Sequence, residues 1–139
     1  MSIKDKGFTL VELLIALVIL SILAAIAIPS YTSFVLRSNR SEGQAYLNDV
    51  VARQERFFTQ NSVYIVKTSD ISNLGISAQS RTGLYQLTVS EGGSSDGGYL
   101  LTATAIGSQA RDDDCKTLTL NAVGDRGFTG TGTLSTCWK

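Results

Sequence analysis

Few side chains in this sequence could do chemistry. Histidine is absent, so a nucleophile activated by an imidazole base is excluded. The two cysteines, Cys115 and Cys137, lie near the C-terminus with 21 residues between them. Asp112, Asp113 and Asp114 form an acidic run. Three adjacent carboxylates point in different directions and the spacing of a calcium loop is missing, so the run reads as a solvated turn. The sharpest single residue is Glu12, a carboxylate near the start of a long apolar segment. In hydrocarbon such a group needs a cation beside it. No catalytic, cofactor-binding or metal-binding residue is expected, and the chain does not read as an enzyme.

The segment that carries Glu12 has sixteen residues, 13–28, in which Ser21 is the sole polar side chain. Counted back to Phe8 the run is long enough to cross a hydrocarbon layer of about 30 Å as a helix. Three uses compete: a cleaved secretory signal, a permanent anchor, and an anchor that later becomes a packing surface. Lys4, Lys6 and the small residues around Ala27 suit the first. Against it stand Glu12 inside the apolar run and a helical pattern that continues well beyond Ala27.

Over residues 30–59 the pattern becomes one-sided. Tyr31, Phe34, Val35, Leu47, Val50, Val51, Gln54, Phe57 and Phe58 recur at helical spacing, while Arg37, Arg40, Glu42, Asp49, Arg53, Glu55 and Arg56 are assigned to other faces. The two segments together predict a helix of about 50 residues, roughly 75 Å long, of which half must protrude from so small a domain. Pro29, the single proline, and Gly43 are the expected weak points, with a kink at the proline.

Residues 60–83 read as a loop with a short helical turn near Ser69 to Gly75. Alternating apolar and polar side chains predict strands at 84–90, 99–106 and 117–122, separated by glycine-rich turns. The fold class is therefore α+β: a long N-terminal helix packed on an antiparallel sheet of three to four strands, spanning 84–122. Residues 124–132 read as a further loop. An even cysteine count in a chain with an export segment suggests a disulfide in an oxidising compartment, the alternative being two cytosolic thiols. Outside residues 1–7 there are ten basic and eleven acidic side chains, so no global field attracts a polyanion.

Lys6, Gly7, Phe8, Thr9, Leu10, Val11 and Glu12 followed by an unbroken apolar run resemble the class III signal and anchor of the type IV pilin family. The resemblance implies a leader of residues 1–7 removed by a prepilin peptidase between Gly7 and Phe8, with N-methylation of Phe8. It implies a transmembrane and filament-core helix over 8–29 and a periplasmic, later pilus-borne head over 30–139. Glu12 would meet the new amino group of Phe8 and set register between subunits, and Pro29 would matter during assembly. Arg37 to Gln44, Ala52 to Phe58, Cys115 to Asn121, Gly124 to Gly127 and Cys137 to Lys139 resemble the PilE and ComP branch of minor pilins. The partners implied are other pilin subunits, the inner membrane, the peptidase and the assembly machinery, with no cofactor and no small-molecule substrate. The expected role is a minor pilin supporting pilus assembly, adhesion and twitching motility.

The branch also invites a DNA receptor for natural transformation. Arg81, Arg111, Lys116, Arg126 and Lys139 lie in or beside the loops around the cysteines, and Trp138 could stack on a base. Asp112 to Asp114 and Asp125 lie among them, which favours a mixed-charge surface with Trp138 as a packing residue. A type II secretion pseudopilin shares the leader and the helix, but the cysteine loop and the branch motifs disfavour it.

Overall fold

The computed structural model describes residues 7–139. They divide into two compact units, one ending at Val35 and the other spanning Leu36–Lys139. Helix α1, Leu10–Asn61, is continuous across that division and runs through both Pro29 and Gly43. Its start follows from local chemistry. Thr9 stands outside the helix and its hydroxyl accepts from the Glu12 amide at 3.2 Å, while the Thr9 amide and hydroxyl donate to the Glu12 carboxylate at 3.3 and 3.2 Å. This reciprocal Thr-x-x-Glu pair satisfies amides that the first turn leaves unpaired.

In the first unit the large apolar side chains from Phe8 to Ile28 are all 53–78% exposed, and Tyr31 and Phe34 are exposed as well. The expected stripe, read from Tyr31 and Phe34, therefore begins later than Phe34. Leader residues 1–6 lie outside the described residues.

The second unit has its own core. Strands β1, Tyr85–Glu91, β2, Tyr99–Ala105, β3, Thr117–Asn121, and β4, Arg126–Thr129, form one antiparallel sheet in sequence order. Strand β4 falls in the segment expected to be a loop, and a short helix α2, Leu134–Cys137, follows it. Alternate residues Tyr85, Leu87, Tyr99, Leu101, Ala103 and Leu118 are buried with Leu47 and Val50 of α1. Gly43 is a contact point rather than a weak one. A Cβ there would lie 2.9 Å from the Tyr85 ring and 3.1 Å from Leu118, so only glycine lets helix and sheet approach this closely. Gln54 lies fully buried within the apolar stripe because its side-chain amide pairs with both the carbonyl and the amide of Ile65, at 2.6 and 3.0 Å. A buried polar group is tolerated when its partners are this complete.

Arg40, assigned from sequence to an outer face, is buried instead, as is Asp112, assigned to a solvated turn. Their pairing is bidentate, Nε to Oδ2 and Nη2 to Oδ1, both at 2.7 Å, and Nη1 donates to the Thr136 carbonyl at 3.1 Å. The hydrogen bond that Arg40 donates to Asp112, opposed by burial, raises the Arg40 pKa above its already high ordinary value. Gln109 donates to Asp112 and to the Leu36 carbonyl, and accepts from Asn39. Removing one partner strands a buried charge. Arg40→Ala should lower the unfolding free energy of the head by about 3–5 kcal/mol in urea titration, whereas Arg40→Met with Asp112→Leu should recover much of it. A loss within the range of an exposed ion pair, about 0–1 kcal/mol, would contradict this role for the pair.

Candidate functional site

Two regions carry the residues singled out from sequence. At the N-terminus, Gly7 precedes the first helical turn and is exposed, and a Cβ placed on it would meet no atom within 4 Å, so the backbone around it is open to approach. Phe8 is 78% exposed. Glu12 has a second role that the sequence reading missed, as the reciprocal cap of Thr9. The signal was present in Thr9-Leu10-Val11-Glu12.

At the other end of the chain Cys115 and Cys137 form a disulfide and both are fully buried. It joins a residue just before β3 to the end of α2. Trp138 is 6% exposed and its Nε1 donates to the Gly127 carbonyl of β4 at 2.7 Å. The Arg126 guanidinium lies over its ring, 5.3 Å from the centroid. Among the described residues no carboxylate ion-pairs with Arg126. An arginine stacked on a ring face rather than paired with a carboxylate leaves its N–H donors available to an incoming anion. Arg126, Thr133, Leu134, Ser135 and Trp138 line an open cleft of about 490 Å³. The Thr133 and Ser135 hydroxyls bond to each other at 3.0 Å, and the cation beside an apolar wall suits an anionic group attached to a less polar body.

The other basic candidates are dispersed. Lys116 pairs with Asp113 at 3.3 Å, and Arg111 donates to the Ser108 carbonyl. Arg81 lines a different cleft with Ser38, Ser41, Glu42 and Thr82, where Thr82 donates to Glu42. Lys139 is exposed at the end of the chain. Geometry therefore brings together Arg126 and Trp138, and the ring face beneath Arg126 is not free for a base.

The turns beside this cleft are tied by Asn121, whose side-chain amide donates to Asp96 at 2.9 Å and to Asp125 at 3.3 Å. Asp96 also accepts from the Gly93 amide.

Residues 29–119 match the sequence model of the family described as type IV minor pilin ComP, DNA uptake sequence receptor, and residues 3–28 match the prokaryotic N-terminal methylation motif. The chain belongs to the type IV pilins. This pilin is 30% identical over 123 residues to the fimbrial protein EcpC of Eikenella corrodens, covering 88% of this chain and 78% of that protein. It is 41% identical over 70 residues to the type IV major pilin protein PilA of Myxococcus xanthus, covering half of this chain but only 30% of that protein's length. Among solved structures, a type IV pilin from Shewanella oneidensis is 26% identical, with a TM-score of 0.45, covering 66% of this chain and 89% of that one.

The bonds from Asn121, and then from Gly93, hold the Asp96 carboxyl below the usual carboxylate range. A depressed folded pKa means the contact is complete above the unfolded value of about 3.9 and is lost as pH falls through the folded value. The Gly93 amide signal should therefore titrate in NMR at a pH below that of an ordinary aspartate, and Asp96→Asn should abolish the transition. Titration at the ordinary value would contradict the assignment.

Proposed function

We propose that this pilin is a subunit of the type IV pilus, most simply a minor pilin, cut between Gly7 and Phe8 and methylated on Phe8. Before assembly it spans the inner membrane once with its head in the periplasm, and afterwards it is part of the surface filament, supporting assembly, adhesion and twitching motility. The observation that carries this reading is the uncovered apolar run of α1, 53–78% exposed from Phe8 to Ile28. Water alone is a poor environment for so large an apolar surface, so lipid and then like subunits must cover it. Its partners are other pilin subunits, the prepilin peptidase and the assembly machinery, and it has no catalytic role.

Glu12 then has two successive partners, the Thr9 cap and, after cleavage, the Phe8 amino group. Glu12→Ala should leave processing intact, with mature chain in the membrane, while incorporation into sheared pili is lost. Normal incorporation would sink the proposal that this charge sets register.

The second reading is a DNA receptor, favoured by the description of the matching family and by Arg126, which is stacked on Trp138 and not ion-paired among the described residues. A head beginning at Ser30 should retard duplex DNA in a gel at low salt and lose affinity steeply at physiological salt. Arg126→Gln should weaken that binding and flatten its salt dependence. Salt-independent or absent retardation of the unaltered head would remove the receptor reading.

A further inference from the structure

Antiparallel register sorts the head into two ends. Residues 80–84, which lead into β1, and 106–111, which leave β2, adjoin at one of them, where the Ile106 amide donates to the Leu84 carbonyl at 2.9 Å. Both segments are fastened to the first head residues of α1. Thr82 donates its amide and its hydroxyl to Glu42, and Gln109 donates to the Leu36 carbonyl while accepting from Asn39. This end is therefore the one at which the chain enters the head. Glu91, Asp96 and Asp125 lie at the far ends of the strands, with Arg126.

Each fastened segment carries an exposed arginine, Arg81 on one and Arg111 on the other. Among the described residues neither forms an ion pair. The acids around them have partners within the head: Glu42 in Thr82, Asp112 in the buried Arg40, Asp113 in Lys116, and Asp114 in Arg40 and Thr131. Arg37, one residue beyond Leu36, is exposed as well. A guanidinium on a braced loop offers its fork of N–H donors to a phosphodiester with little ordering left to do.

We propose, on the reading of residues 8–28 as a membrane span, that this end of the head rests on the lipid surface beside its own anchor, with Arg81 and Arg111 on the phosphodiester groups of anionic phospholipids. Eight steps of α1 lead from Ile28 to Leu36, about 12 Å of helix. The headgroup layer takes up about 5–7 Å of that. What remains is within the screening length of about 8 Å at physiological salt. Tyr31 and Phe34, 70% and 67% exposed, occupy the intervening stretch, and aromatic side chains favour the headgroup level.

Each cation this close to an anionic leaflet contributes a roughly fivefold gain. The anchor already supplies proximity, so two such contacts act without a large buried area. The acidic far end is repelled by the same surface, which selects the orientation.

The contact can be read with the full chain carrying Ser108→Cys, labelled on that thiol with a polarity-sensitive dye and reconstituted in vesicles; the native cysteines are closed in their buried disulfide. Emission should move to the blue and rise about twofold when about a third of the phosphatidylcholine is replaced by phosphatidylglycerol, and about 0.5 M salt should reverse the change. Arg81→Gln with Arg111→Gln should abolish it, and Arg81→Lys with Arg111→Lys should keep much of it. Lys67→Gln, an exposed cation next to the Thr68 that bonds Val89, should leave it intact. Flotation with phosphatidylcholine vesicles reports the anchor separately, and a chain that does not float removes the membrane reading and this proposal together. A chain that floats but emits equally in both vesicles, or a shift that survives the double glutamine change, overturns the proposal alone. A shift raised by duplex DNA in neutral vesicles but not by phosphatidylglycerol would overturn it too, and would assign the arginines to nucleic acid.

Discussion

The head depends on one ion pair that joins distant parts of the chain. Arg40 lies on α1, Asp112 in the connection between β2 and β3, and the same guanidinium reaches the carbonyl of Thr136 on α2. Through these bonds the helix holds both the segment that leads into Cys115 and the one that ends in Cys137. The disulfide closes the same junction covalently. A buried ion pair is a costly way to gain stability, since two charges must leave water. Here its bidentate geometry and the added bond from Gln109 to Asp112 leave few lone pairs unsatisfied. The arrangement fixes how helix, sheet and C-terminal loop meet, and with it the placement of Trp138 and Arg126.

The first unit follows the opposite logic. Its helix carries no core, and its apolar side chains face outward. The cap at Thr9 and Glu12 begins the helix next to an open Gly7, so the expected processing bond lies outside regular structure. Under the proposed function this division has a use: one part for lipid and filament, the other for a surface with its own chemistry.

Much of this was legible from residue order. Alternation between glycine-rich turns marked three strands within a residue or so of their ends, and helical spacing marked Leu47, Val50 and Gln54. What escaped had physical causes. Arg40, Gly43, Leu47, Val50 and Gln54 follow one another at helical spacing and are all buried, but the charge of Arg40 hid its place in the stripe. Asp112 was masked by the two acids beside it, which remain exposed. Strand β4 has four residues and no clear alternation, and its existence depends on pairing with β3. Trp138 was readable as a packing residue, but its bond to Gly127 and the arginine above it depend on the folded chain.

The central claim is that the exposed apolar helix is a filament-core element released by cleavage after Gly7. Mass spectrometry of sheared, purified pili tests it most directly. The account predicts this chain in the filament fraction with a methylated Phe8 as its first residue. Its absence from the filaments, or its presence there with residues 1–7 still attached, would contradict the account.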